Sequence, residues 1–293
     1  MTVFLGERGR ILLSRKGSDT AYITVVNAAD VRDNVNRFSV DFAHEQFITG
    51  DQLEITTTSG NDLTWIDDPS ADSSFTRFAH IDEAGGIRLY NEFSQAIVGS
   101  PDNAIPLIKP AADQEVAIRV VDSEQERCLA EVTGYQITTS RETIDTTHLG
   151  AHYRKQYESG LIQGQGTIDC FWALPGSDCN EDSYDLDRVE FSSYLAKLCI
   201  RLVHGAAFHG WFYVYANDSK ETRSVWYESK TCIVTNVAVT ATPSEIVKAT
   251  IEFVTSGPIT LKEGYLPSFL QQEQSEDYIL TESGGRIELT NPD

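Results

Sequence analysis

The sequence is poor in the residues that mark the commonest kinds of chemistry and location. Basic residues are scarce: 23 Lys and Arg stand against 44 Asp and Glu, a formal charge of −21 over 293 residues. Gripping nucleic acid through its phosphates takes clustered Lys and Arg that release counterions, so this composition argues against that mode of binding. The acidity is an ordinary source of solubility. It also suits a wall past which DNA slides, because like charges repel within a Debye length of about 8–10 Å. No run approaches the roughly 20 apolar residues that span a bilayer, and residues 1–15 lack a basic start followed by an apolar core. The expectation is synthesis in a cytoplasm, without membrane insertion. The five cysteines, Cys128, Cys170, Cys179, Cys199 and Cys232, are odd in number and form no C-x-x-C pair. In a chain too long to need cross-links they read as free thiols.

Catalytic groupings are missing as well. There is no G-x-S-x-G elbow and no H-E-x-x-H. His148 and His152 are four apart, the spacing of two zinc ligands on one helix face, but Gly150 and the neighbouring threonines oppose a helix, so an exposed pair is the better reading. His204 and His209 flank an expected helix stop and Gly210. Asp67 with Asp68, and Asp178, Glu181, Asp182, Asp185 and Asp187, lack the spacing and turn glycine of an EF-hand and read as solvated loops. Gly160, Gly164 and Gly166 are followed by no lysine and no helix, so they admit a bulge or a close backbone and do not cradle a phosphate. No metal or cofactor is expected, and an enzyme is the least supported class.

What remains is β pattern, with 41% hydrophobic residues to bury. Short strands are predicted at 10–13, 22–26, 37–42, 52–56 and 87–90, with one or two helical turns over 92–98 before Gly99-Ser100-Pro101. Pro101, Pro106 and Pro110 mark a linker. Beyond it, strands are predicted at 116–121, 129–139, 163–172, 210–216, 231–242 and 245–255. Phe191, Tyr194, Leu195, Leu198 and Leu202 recur at helical spacing over 188–204, with Asp187 as N-cap and Gly205 as stop, an amphipathic helix that should cover one face of a sheet. In the aromatic set, Trp211, Tyr213 and Tyr215 share one strand face and Phe212 and Val214 the other; with Trp172, Trp226 and Tyr227 they read as core, a stacking platform for sugars or single-stranded nucleic acid being the alternative. The tail after Gly264, which carries Tyr278-Ile279-Leu280 and ends in Arg286-Ile287-Glu288-Leu289, reads as an arm.

The stretch 141–172 is the most informative. Its first half is polar, with Arg141, Glu142, Asp145, His148, Tyr153, Arg154, Lys155 and Glu158, and cannot bury itself without a partner. Its second half alternates: Gln163, Gln165, Thr167 and Asp169 against Gly164, Gly166, Ile168, Cys170 and Trp172, the period of a sheet with one wet and one packed side. Lys248, Thr250 and Glu252 alternate likewise with Val247, Ala249, Ile251 and Phe253.

The E-T-x-D-T-T-x-L-G pattern over 142–150 and the G-L-x-x-G-x-G-x-I-D pattern over 160–169 resemble the tail tube proteins of tailed bacteriophages. The resemblance extends more weakly over 1–16 and 115–262. It implies a mainly β chain, an antiparallel β-sandwich or half-barrel with one flanking amphipathic helix. That core domain would comprise 1–16 and 111–262, with an inserted β-rich outer domain at 17–110 and a C-terminal arm at 263–293. It further implies a homohexamer whose stacked rings form the virion tail tube and conduct the genome into the host. Partners would be other copies, tail components such as terminator, tape measure, baseplate or initiator proteins, and viral DNA passing without specific binding. The expected lumen residues are Gln163, Gln165, Thr167, Asp169, Lys248, Thr250 and Glu252, and the loop 141–159 is expected to reach the adjacent ring. A distal tail or baseplate ring protein, or a carbohydrate-binding β-sandwich, are the alternative expectations.

Overall fold

The computed structural model describes residues 10–18, 20–59, 62–123, 125–145, 156–172, 189–201, 207–215, 224–243, 245–264, 278–280 and 286–288. Two sheets carry the fold. The larger contains β1 (Arg10–Arg15), β8 (Arg127–Leu129), β9 (Val132–Asp145), β10 (Gln156–Phe171), β11 (Val189–Glu190), β12 (Ala207–Tyr215), β13 (Ser224–Thr240), β14 (Lys248–Thr255) and β15 (Ile259–Gly264). Its order is β11-β8-β1-β12-β13-β14-β10-β9, antiparallel apart from the β11–β8 pair. β14 and β15 lie end to end along β13, separated by a turn in which Gly257 takes φ +107 and Ser256 N–H bridges to Thr231 O at 2.8 Å.

The long helix α3 (Ser192–Ile200) packs on this sheet. Tyr194, Leu195 and Leu198 meet Ile168, Cys170, Phe208, Phe212, Val234, Ile251 and Phe253, all buried. Phe253 stacks on Phe212 at 5.1 Å and meets Phe208 edge-on at 5.9 Å. Each large apolar side chain sealed here contributes about 1.5–3 kcal/mol. The helix is shorter than its sequence pattern. Phe191 occupies the N-cap position, Val189–Glu190 is already strand, and the chain is extended at Arg201. Asp187, Leu202 and Gly205 lie outside the described residues.

The smaller sheet contains β2 (Tyr22–Val26), β3 (Phe38–Ser39), β4 (Gln52–Thr57), β5 (Ser74–Ile81), β6 (Gly86–Tyr90) and β7 (Gln114–Val120), in the order β2-β7-β4-β5-β6-β3. Its end strands approach where the Tyr22 hydroxyl donates to Asp41 O at 3.0 Å, which curls it towards a half-barrel. Trp65, Phe38, Leu53, Ile55, Phe75, Ile87, Leu89, Val116 and Ile118 fill the interior. Short helices α1 (Ala43–Gln46) and α2 (Phe93–Val98) complete this unit, α2 ending on Gly99 at φ +70. The protein is therefore mainly antiparallel β with one flanking helix and a smaller β-rich lobe.

Three local expectations are corrected. The strand expected at 37–42 ends at Ser39, because Phe42 turns left-handed (φ 56) to start α1 and stands exposed. β5 gave no clean alternation in sequence. β7, expected with the larger unit beyond the prolines, instead zips between β2 and β4, since Val116, Ile118 and Val120 point into the smaller core. The strand expected at 129–139 is split by Glu131 at φ 56, which separates β8 from β9. In the tail, β16 (Tyr278–Leu280) pairs with β17 (Arg286–Glu288).

Candidate functional site: a polar sheet face with an open edge

All seven residues expected on one wet face come together. Gln163, Gln165, Thr167 and Asp169 follow one another on β10, and on β14 Glu252 lies opposite Thr167 and Thr250 opposite Asp169. Lys248 ends the row opposite Phe171. These side chains are exposed or half-buried, while Ile168, Cys170, Ala249, Ile251 and Phe253 on the reverse face are sealed. The face continues onto strands whose contribution sequence reasoning missed. Gln136 and Thr138 of β9 stand opposite Thr167 and Gln165, and Asn236 of β13 stands opposite Glu252. The alternation Tyr135-Gln136-Ile137-Thr138 carried that signal.

Cross-strand bonds knit the face. Thr250 Oγ1 donates to Asp169 Oδ1 at 2.7 Å, Asn236 Nδ2 to Glu252 Oε2 at 3.3 Å, and Thr133 Oγ1 to Asp169 O at 3.0 Å. A bulge in β13 leaves Thr235 without a strand partner, and its hydroxyl donates to Glu252 O at 3.2 Å. An open depression of ≈ 330 Å³ lies here, lined by Gln136, Thr138, Gln165, Thr167, Thr235 and Glu252 among others. Two carboxylates and one ammonium on a field of amides and hydroxyls make a weakly charged, well-hydrated surface, unsuited to holding a phosphate chain. Among the described residues no cluster of His, Cys, Asp and Glu is arranged to hold a metal ion.

The glycines of β10 are explained by what lies beneath them. A Cβ on Gly166 would come within 2.5 Å of the Phe253 ring and 2.6 Å of Gln136 O; one on Gly164 would meet Thr255 Oγ1 at 2.7 Å. Side chains of β14 therefore fill the space that the glycines leave, and the sheet can bend there.

The polar stretch 141–159 is largely strand at both ends. β9 runs to Asp145 and β10 starts at Gln156, with Asp145 opposite Gln156 and Arg141 opposite Ile162 across a bulge near Gly160. The third strand, β14, reaches only as far as Gln165. Beyond Gln165, the described residues pair β10 with β9 alone. Arg141 is exposed on this hairpin; Glu142, Asp145 and Glu158 belong to its backbone, while His148, Tyr153, Arg154 and Lys155 lie outside the described residues. β9 pairs only with β10 among the described residues, so 14 residues of strand form an edge of the sheet.

Trp211, Tyr213 and Trp226 of the aromatic set are each stacked on another ring. His209 lies in β12, not beside a helix end, and stacks on Trp211 at 3.7 Å; Tyr213 stacks on Trp226 at 5.5 Å with the Arg10 guanidinium 5.0 Å from its ring centre. Each of these stacked rings has one face covered by its partner. Burial holds the His209 imidazole below its ordinary range, against the pull of Glu228 at 3.4 Å, and Lys262 also pairs with that carboxylate. Phe212 is core, but Val214, expected on its face, is exposed because β12 bulges between Tyr213 and Tyr215.

Sequence reasoning missed a buried ionic cluster between the two units. Arg15 makes a two-pronged contact with Glu190 (2.7 and 2.9 Å) and reaches Asp51 Oδ1 (3.0 Å) and Thr49 O (3.1 Å). Arg201 pairs with the other oxygen of Asp51, which also accepts Ile48 N–H at 2.9 Å. Arg15 and Arg127 sit over the Phe93 ring at 5.1 and 3.8 Å, and Tyr194 faces Arg15 at 4.2 Å. These five charged side chains are each at most 3% exposed. Charges 175 and 150 residues apart in sequence have no local pattern that would reveal the cluster.

No protein-family model matches this chain, and no curated protein matches it. Two similar solved structures are a chain from the tail of an empty GTA particle with C6 symmetry and a chain from the virion of a native gene transfer agent particle. Each is 11% identical with a TM-score of 0.33, covering 48% of this chain and 88% and 91% of the other. Likeness at that level carries no functional weight.

Proposed function

We propose that this chain is a structural subunit of a phage-type tail tube. Copies join sheet edge to sheet edge into a six-fold ring, the polar face of β9, β10, β13 and β14 lines the lumen, and rings stack through the β9–β10 hairpin to conduct the genome out of the virion. The carrying observation is one sheet that combines a continuous polar face, a 14-residue edge strand and a β9–β10 pairing that no third strand joins beyond Gln165 among the described residues. An edge of that length invites pairing, and two strands alone are marginal in water. A second copy supplies what both need, and a ring leaves no edge over. The weakly charged lining lets DNA pass, and the chain's net negative charge works in the same direction. The resemblance of 142–150 and 160–169 to tail tube proteins supports the same reading, as does the inserted position of the smaller unit, which in this proposal sits outside the tube as a separate domain.

Negative-stain microscopy of the concentrated protein, with its solution mass, tests this. Hollow tubes or stacked six-fold rings are expected; deletion of residues 143–156 should leave a folded subunit that forms no tubes. Single rings that never stack would favour a distal tail or baseplate ring instead. Tubes of normal length from the deletion variant would overturn the role of the hairpin. Lysine at Gln163, Gln165 and Asp169 should make the lumen retain DNA, and unchanged DNA release would remove these residues from the lumen.

A further inference from the structure

A small cavity of ≈ 20 Å³ lies where the two units meet, walled by Ile48 and Ile97 from the smaller one and by Arg15, Glu190, Tyr194 and Lys197 from the larger. That volume admits one water-sized species. Its chemistry favours negative charge. Helix α3 begins at this wall: Phe191, in the N-cap position, gives no side-chain cap, and the first turn holds no acidic residue, so the positive end of the helix is not compensated within the helix. Tyr194 is 2% exposed, and its hydroxyl has no hydrogen-bond partner among the described residues, which leaves a sealed donor at the cavity. Burial raises that hydroxyl above its ordinary range, so it keeps its proton.

The charges around the cavity do not balance. Among the described residues of this cluster, Arg15, Arg127, Arg201 and Lys197 stand against Asp51 and Glu190, two cations in excess within a chain whose formal charge is −21. Glu190, the one carboxylate on the described wall, is met by two bonds from Arg15 (2.7 and 2.9 Å) and by Arg127 at 3.9 Å. Lys197 is exposed on one side; desolvation on the other, and the charge of Arg15, hold its ammonium below the ordinary range.

We infer that this cavity binds a monatomic anion, chloride being the abundant one, between the Tyr194 hydroxyl, the Lys197 ammonium and the start of α3. A water molecule would satisfy Tyr194 and leave the excess of positive charge as it is; a halide answers both. Sulfate, phosphate and carboxylate groups exceed the volume. Because the walls come from both units, the ion stabilises their docking, whether or not the chain forms tubes.

Thermal denaturation of the full chain in sodium chloride and in sodium gluconate at equal ionic strength tests this, gluconate being too large for the cavity. Chloride should raise Tm by about 2–4 °C and then saturate. Tyr194→Phe should keep the wild-type Tm in gluconate, because the hydroxyl has no partner to lose among the described residues, and should remove most of the chloride increment. Lys197→Met should raise the half-saturating chloride concentration by about tenfold. Crystals soaked in bromide should show an anomalous peak between Tyr194 Oη and Lys197 Nζ. Equal Tm in both salts would mean water in the cavity, and a bromide peak without saturable stabilisation would mean binding at crystal concentration only; either overturns the site. A chloride increment that survives both substitutions would overturn it as well. Should Tyr194→Phe fail to fold, the wild-type increment and Lys197→Met decide.

Discussion

The two sheets of this molecule solve the same burial problem to different degrees of completion. The smaller one has strands of two to eight residues, a closed apolar interior around Trp65, and outer charges paired with each other, as in Arg119 with Glu54 (2.5 Å) and Arg37 with Asp82 (2.8 Å). The larger one has strands of 14, 16 and 17 residues, a wet face of amides and hydroxyls, and a long edge. Short strands around one core fill that core from within the unit. Long strands with an edge left over make one that gains from a neighbour. The contrast supports placing assembly on the larger sheet and a static, appended role on the smaller.

The largest expected effect comes from cutting the ionic cluster that joins the two. Arg15→Met removes the guanidinium that binds Glu190 through two bonds and Asp51 through one, leaving carboxylates that are 1% exposed without their main partner. The loss should be about 3–5 kcal/mol. Because Ile48, Thr49 and Asp51 come from the smaller unit and Glu190 and Arg201 from the larger, the variant should also unfold in two steps where the wild type unfolds in one. Denaturant titration followed by near-ultraviolet dichroism and by amide exchange reads both. A single unshifted transition would mean that the units are held together by something else.

A smaller effect separates the faces of the larger sheet. Gly166→Ala drives a Cβ against the Phe253 ring and the Gln136 carbonyl, and the rigid ring cannot give way without disturbing Phe208 and Phe212. A cost of about 1–3 kcal/mol is expected, read as a lowered denaturation midpoint with unchanged slope.

The packed face also has a chemical signature. Burial pushes the Cys170 thiol up to about 11 and the Cys232 thiol up to about 12, from an ordinary value of 9.0. Folding thus favours the protonated thiols: their contribution is fully present below about pH 9 and is lost as the pH rises towards 11–12. Stability should decline through that window. Cys170 and Cys232 should resist iodoacetamide at pH 8 until the chain unfolds, while the exposed Cys128 reacts first. Alkylation of all three at one rate would mean that the core opens readily.

Much of this contrast was legible in the sequence, and the parts that were not share a cause. The wet face of β10 and β14 could be read because alternation is local, as could the stop of α2 at Gly99 and the glycines of β10. The start of α3 was misjudged because Phe191 fits both the helical spacing and an extended cap. The assignment of β7 to the smaller sheet, the covering of Trp211 by His209 and of Trp226 by Tyr213, and the cluster around Arg15 all depend on which distant strand lies alongside. Arg15 in sequence is one more charge after a short strand; only the fold brings Asp51, Glu190 and Arg201 to it.

The smallest effect should have the opposite sign. Gly134 lies on β9 opposite Asp169, within the same strand pair as Gly166, but a Cβ there meets nothing within 4 Å and its φ lies outside the left-handed region. Gly134→Ala introduces no clash and reduces the freedom of the unfolded chain, so it should stabilise by about 0.4–1 kcal/mol. Set beside Gly166→Ala, it asks whether a glycine in this sheet serves packing or merely leaves room. If the lumen reading holds, Gly134→Ala adds only a methyl to the wet wall and tubes form as before. Loss of stability at Gly134 would mean that the wet face is covered within the subunit, and the difference between the two faces would then have to be redrawn.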